Sequence, residues 1–374
     1  MYGLSFRSLF LTSVAMATLP ACFSLTCPTV VAQAKAAEKS TISDQACFVL
    51  KINVQRLIGL QKMGSQQLKL IQQFFEQNAG LDIMQMKSIT FQNFNLPEEN
   101  AGFQRVPFAM TMEFSRKFDR KKFMKKVAPG TGVEARHLGQ TYLKPADSED
   151  DPHFFFPDEK TIVMATPFAI EAVIKATLQE GGQMAKRIAT APGSAECSMA
   201  FQSSQALHLL IDNFANEVSL SQLPVNPIKS LKTMQSGVGH IDLRSSTPLL
   251  VRIECKNRAA ARQFQGLTEV LIETARLSME PMENERKKTE NQAPEAERTN
   301  PSPAASAQRA ATFLQKGLRA GVKAINGASV SCDEASMTLS VTRRGGLPEV
   351  GEWVADLFNL FGARNRAFQD PDHR

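Results

Sequence analysis

Apolar positions along this chain alternate between the period of a strand and the period of a helix. Cys47–Asn53 (CFVLKIN), Lys87–Phe94 (KSITFQNF) and Pro107–Phe114 (PFAMTMEF) are short apolar runs rich in β-branched and aromatic residues, which predicts strands. Between the first two, Leu68, Ile71 and Phe75 fall on one face of a helix over Gln66–Asn78. Gly80 stands where a left-handed C′ residue would end that helix. Asp119 is placed to cap a short helix over Arg120–Val127, stopped by Pro129-Gly130, and Val133–Leu143 reads as one weaker strand. His153–Val173 (HFFFPDEKTIVMATPFAIEAV) then predicts a hairpin turning at Asp158-Glu159-Lys160 and a helix opened by Pro167. Proline is tolerated at a helix start because its missing N–H would have no partner there anyway.

The second half of the chain restates this order. Cys47, Gln55 and Leu57 align on Cys197, Gln205 and Leu207; Pro107, Glu113 and Phe123 align on Pro248, Glu254 and Phe264. Ser329–Val354 repeats the hairpin around Asp333-Glu334-Ala335 and the Pro-started helix at Pro348. The alignment needs an insertion in the second half, and Pro281–Gln308, charged, Pro-rich and nearly free of apolar residues, supplies it as a segment of disordered composition. The expected architecture is α+β: two similar halves, each an antiparallel sheet with helices packed on one face. The first repeat would span 46–182 and the second 196–366, joined by a connector over 183–195 and ended by a polar tail over 367–374. In both repeats the hairpin is expected to close the edge of the sheet.

Before the first strand lie a polar lead-in, 35–45, and a leader. Arg7 is the leader's single charge, Leu9–Leu19 has the length of a signal h-region, and Ala32-x-Ala34 is a small-x-small cleavage signal, so 1–34 reads as a cleaved signal peptide. Two alternatives stand beside it: Leu19-Pro20-Ala21-Cys22 resembles a lipobox that would lipidate Cys22, and the apolar character running on to Val31 would suit an uncleaved anchor. No later run reaches the length of a membrane span. Each reading places the protein outside the cytoplasm, in the periplasm or at the cell surface.

Composition narrows the class further. Apolar residues make up 43% and charged residues 21%, which suits packed domains rather than a disordered chain. Without Arg7 the formal balance is +5, compatible with an anionic partner without demanding one. Cys47, Cys197, Cys255 and Cys332 lie inside apolar runs with no C-x-x-C spacing, and read as buried thiols, although export permits disulfides.

Gly80-Leu81-Asp82, Lys87-Ser88-Ile89-Thr90-Phe91 and Phe156-Pro157-Asp158 with Thr161-Ile162-Val163 together resemble exported proteins of unknown function from planctomycete-type bacteria. The resemblance covers mainly the first repeat and rests on structural turns. It implies an exported, duplicated α+β protein and carries over no catalytic residue. The second repeat departs from it, with Cys332 in place of the Pro before Asp333 and no Gly-Leu-Asp.

The densest candidate chemistry is the basic run Arg116-Lys117-Phe118-Asp119-Arg120-Lys121-Lys122-Phe123-Met124-Lys125-Lys126, with seven cations and one acid in eleven residues. Arg116, Lys117, Arg120, Lys121, Lys122, Lys125 and Lys126 could form an anionic-polymer or lipid surface. Phe118 and Phe123 could stack on bases, but export argues against nucleic acid, and the match of Phe123 with Phe264 argues for a core anchor. Asp147, Glu149 and Asp151 alternate like the start of a calcium loop, yet Pro152 occupies its obligatory glycine position. His137, His153, His208, His240 and His373 share no zinc-site spacing; His208, among leucines, suits a packed ring, and His240 is expected to begin a strand. Neither a G-x-S-x-G elbow, an S-x-x-K motif nor a G-K-[ST] phosphate loop is present. No cofactor or metal is implied. The expected function is a non-catalytic envelope component with a structural or binding role. A hydrolase with a site between the halves, using His240 or His153, is the alternative, and binding of an anionic polymer through 116–126 is a third reading. An envelope protein is the other partner class.

Overall fold

A computed structural model describes residues 40–60, 65–95, 107–128, 132–145, 151–179, 181–204, 208, 232–270, 272–273 and 327–342. The segments expected to be a leader, an insertion at 281–308, a helix from Pro348 and a polar tail lie outside the described residues. The strands are β1 (Ala46–Asn53), β2 (Met86–Phe94), β3 (Phe108–Phe114), β4 (Val133–His137), β5 (Gln140–Lys144), β6 (His153–Asp158), β7 (Thr161–Ala165), β8 (Cys197–Gln202), β9 (Met234–Ile241), β10 (Leu249–Cys255), β11 (Ala328–Asp333) and β12 (Ser336–Val341). The helices are α1 (Val54–Leu60), α2 (Ser65–Ala79), α3 (Arg120–Val127), α4 (Pro167–Leu178), α5 (Gln183–Ala189) and α6 (258–270). The fold is α+β.

The twelve strands among the described residues belong to one antiparallel sheet in the order β11-β12-β10-β9-β8-β1-β2-β3-β7-β6-β5-β4. The antiparallel pair β1–β8, in which Leu50 faces Met199 and Lys51 faces Ser198, joins the five strands β8–β12 to the seven strands β1–β7. Alternate residues of each strand point to opposite faces; over β1–β3, β6 and β7 both faces are covered, whereas the second face of β10–β12 carries Arg252 and Glu254, which are exposed. On one, Met110, Met112, Ile162 and Met164 pack with Phe123 of α3 and Leu81, while Val251, Ile253 and Met337 continue that layer with Phe264 of α6. On the other, Val49, Ala109, Val163 and Ala165 pack with Ile170, Val173 and Ile174 of α4 and with Met184 and Ile188 of α5. Helices on a single face were the expectation; the alternation of Ala109 with Met110 and of Val163 with Met164 makes both faces of β3 and β7 apolar, so each needs its own cover.

Local signals hold where the chemistry is local. Asp119 accepts from Lys122 N at 2.9 Å and caps α3. Gly80, at φ +67°, donates to Glu76 O at 3.1 Å and ends α2. Asp82 then accepts from Met84 N at 3.0 Å, so the Gly-Leu-Asp turn both closes one helix and opens a short 3₁₀ turn at Ile83–Gln85.

Four further expectations change. The single strand at Val133–Leu143 is a hairpin, β4–β5, turned through Leu138 (φ +47°) and Gly139 (φ +77°). The connector at 183–195 contains α5, whose Met184 and Ile188 are buried. Ile42 and Ser43 of the lead-in are buried, and Ser43 N donates to Gln92 Oε1 at 2.9 Å while Gln92 Nε2 donates to Thr41 O at 2.9 Å, so 40–45 is stitched to β2. Finally, the β6–β7 hairpin is interior: β7 pairs with β3, β6 with β5, and β4 forms the edge among the described residues. Among the described residues, the β11–β12 hairpin closes its side of the sheet.

Candidate functional site

α3 presents the basic run, and its geometry separates anchors from cations. Phe123 is 1% exposed, and its ring lies 5.9 Å from Phe154 and 6.3 Å from Phe118. Phe118 in turn meets Phe114 at 5.5 Å and Phe156 at 6.0 Å. The two phenylalanines that could have stacked on bases are therefore committed to the core. Arg116, Lys117, Arg120, Lys121, Lys122, Lys125 and Lys126 are all exposed.

Those cations are not equivalent. Lys117 pairs with Glu159 of the β6–β7 turn, and Lys122 pairs with Glu76 of α2. Lys126 Nζ donates to Gln77 O at 2.5 Å, near the C-terminal end of α2, where the helix dipole favours a positive charge. The Arg120 guanidinium sits 4.1 Å above the Phe156 ring. Arg116, Lys121 and Lys125 have no ion-pair partner among the described residues. Lys121 and Lys125, one turn apart, share a side of α3 and reinforce each other's field.

The histidines fall in two other places. His153 is 8% exposed and stacks on Tyr142 with ring centroids 5.6 Å apart. Burial lowers its pKa, Lys144 adds to that, and Glu171 opposes it; Nδ1 has no hydrogen-bond partner. Glu171 also lies 3.7 Å from His137 Nδ1. His240 is the penultimate residue of β9 rather than its first, paired with Ser198 of β8 and Leu250 of β10. Burial lowers its pKa to about 4, against the pull of Asp242. His208 lies 3.4 Å from Ser203 Oγ; the leucines beside it lie outside the described residues.

Beside His240 is a pair of buried carboxyls that sequence reasoning missed. Glu196 is 1% exposed; its Oε2 accepts from Leu243 N at 2.8 Å while Oε1 has no partner. Burial raises its pKa, and the Asp242 carboxylate adds to the effect. Asp242 is also buried and accepts from Ser194 Oγ. Glu196 precedes β8 in a polar context (Ser194-Ala195-Glu196), so nothing local signals burial; Asn53 N donating to Glu196 O at 2.7 Å and Glu196 N donating to Ile241 O at 2.8 Å put it there. No group of three or more His, Cys, Asp or Glu among the described residues is arranged to hold a metal. Asp147 and Glu149 of the calcium-like loop lie outside those residues.

None of Cys47, Cys197, Cys255 and Cys332 is in a disulfide. Burial raises the pKa of Cys47, and pushes Cys255 up to about 11 with Cys332 nearby adding to it, so neither of these two is an activated thiolate. No described helix is long and apolar enough to cross a membrane.

No family model and no curated protein matches the chain. Among solved structures it is similar to TP0453 in crystal form III, with 6% identity, a TM-score of 0.38, and coverage of 86% of this chain and 98% of that one. Crystal form I of TP0453 gives 7% identity, a TM-score of 0.35, and coverage of 87% and 100%. At this identity and this looseness of superposition, the likeness carries no conclusion about function.

Proposed function

We propose that the chain is an exported, non-catalytic envelope protein of two duplicated halves that binds an anionic polymer or lipid surface through α3. The observation that carries the binding role is the division of labour in 116–126: the aromatic side chains are locked into the core, and the cations are left outside on a rigidly anchored helix. Arg116, Lys121 and Lys125 supply the charge available to meet a partner, and Lys122 and Lys126 hold α3 against α2.

Duplication is supported by hydrogen bonds that recur at aligned positions. Ser88 Oγ donates to Glu113 at 2.7 Å, and Ser236 Oγ donates to Glu254. Phe114 N donates to Lys160 O at 2.8 Å, and Cys255 N to Ala335 O at 2.9 Å. Ser115 N donates to Gln85 O at 2.7 Å, and Lys256 N to Thr233 O at 3.0 Å. Thr90 faces Thr111 as Val238 faces Arg252, so the pairing of β2 with β3 matches that of β9 with β10. Export rests on the leader's composition.

The test is retention of the mature chain on heparin, and on vesicles of anionic against neutral lipid. Replacing Arg116, Lys121 and Lys125 together by Ala should move elution to lower salt and abolish any preference for anionic vesicles. Retention unchanged by the three substitutions would end the binding assignment.

A further inference from the structure

We infer that the edge strand β4 pairs antiparallel with β4 of a second copy of this chain, joining two sheets across a two-fold axis at Ala135. The argument begins with the β4–β5 turn. A two-residue loop with both residues at positive φ, Leu138 and Gly139, makes the flanking residues His137 and Gln140 a hydrogen-bonded pair. Hydrogen-bonded and non-hydrogen-bonded pairs alternate along an antiparallel ladder. Val133, Ala135 and His137 therefore spend their N–H and C=O groups on β5, and those of Glu134 and Arg136 point away from the sheet. β4 has no strand on its other side among the described residues.

Only Glu134 and Arg136 can bond to an added strand, so a second β4 has three registers in phase with its own hydrogen bonds. One sets Glu134 opposite Glu134, another sets Arg136 opposite Arg136, and both place like charges in direct contact across the ladder. The third centres on Ala135 and sets each Glu134 opposite the Arg136 of the other copy. It is also the register with the longest overlap. Both charged side chains are exposed, and neither has an ion-pair partner among the described residues. The same axis brings Val133, 44% exposed, opposite His137 of the second copy and one residue from its Leu138, 56% exposed. A lone charged residue on an edge strand discourages pairing, whereas an i, i+2 pair of opposite sign supplies a self-complementary code for one partner, the same strand inverted. With five residues per strand, the interface falls at the small end of specific contacts, so the dimer should be concentration-dependent in the micromolar range.

Sedimentation equilibrium of the mature chain over about 1–200 µM is the measurement. The wild type should pass from monomer to dimer across that range. Glu134→Arg and Arg136→Glu, each alone, create two like-charge contacts per dimer and should weaken association by about tenfold or more. The double variant E134R/R136E restores opposite charges in the same register and should dimerise as the wild type does. Arg136→Pro removes an amide that β5 does not use, and should block pairing while leaving the melting transition in place. A wild type that stays monomeric throughout would overturn the inference and leave the charges as edge protection. Single and double swaps that dimerise equally well, or an Arg136→Pro chain that still dimerises, would also overturn it by placing the contact elsewhere.

Discussion

A Cβ built on Gly239 would stand 2.7 Å from the carbonyl oxygen of Leu250, with Val251 Cγ2 at 2.6 Å and Met199 Cε at 2.7 Å. Gly237 is more confined still, with ring atoms of Phe201 nearest to the same position and Arg252 O at 3.0 Å. β9 thus gives its volume away to Phe201, Met199 and Val251 on neighbouring strands. On β2, beside β1, Ile89 and Phe91 are bulky and face Met112 and Met110.

Gly239→Ala should therefore destabilise the fold by about 1–3 kcal/mol, because the clash is with backbone as well as with side chains. Gly266, inside α6, has nothing within 4 Å of the place an added methyl would take, and Gly266→Ala should stabilise by about 0.5–1 kcal/mol through helix propensity. Chemical denaturation of the two variants beside the wild type checks both signs.

Acid should act on His240. Its pKa falls from 6.5 unfolded to about 4 folded, so between those values the unfolded chain takes up a proton that the native state refuses. Stability is intact above pH 6.5 and is lost as pH drops toward 4, by about 2–3 kcal/mol from this residue. His240→Gln should flatten that part of the stability profile. A profile from about pH 7 to pH 4 as steep in the variant as in the wild type would contradict the assignment.

Glu196 should act in the opposite direction. Its folded pKa is raised by burial, so the native state holds a proton that the unfolded chain releases, and stability falls as pH rises from the ordinary carboxylate range through the raised value. Glu196→Gln keeps the acceptor for Leu243 N and cannot ionise. The variant should lose less stability than the wild type as pH rises, and be relatively more stable at neutral pH. Melting temperatures at about pH 4 and pH 8 give the comparison.

The two components of the basic run should separate by mutation. Phe123→Ala empties the site between Phe118, Phe154 and Phe156 and should cost about 3–5 kcal/mol. Lys125→Ala, on the exposed side, should change stability by no more than about 0.5 kcal/mol. Urea midpoints of the two variants read out the difference.

Local features were legible in the chain alone. Asp119, Gly80 and Pro167 mark helix ends because capping and φ preference act within a few residues, and the apolar runs at Cys47–Asn53 and Pro107–Phe114 mark strands because a sheet surface selects them. The α+β class followed from the order of those runs. The positively charged segment was legible as a stretch, but its division into anchors, internally paired cations and unpaired cations was not, since Glu76, Gln77, Glu159 and Phe156 come from elsewhere in the chain. The β4–β5 turn was missed because Leu138 carries no turn signal; its left-handed φ is imposed by the hairpin around it. The merging of the strands into a single sheet through β1–β8 emerges only in the folded chain, because strand pairing across more than a hundred residues is decided by which edges meet and leaves no mark in either segment. The burial of Glu196 beside Asp242 and the open edge at β4 follow from the same cause: each is set by which strand lies alongside, or by the lack of one among the described residues.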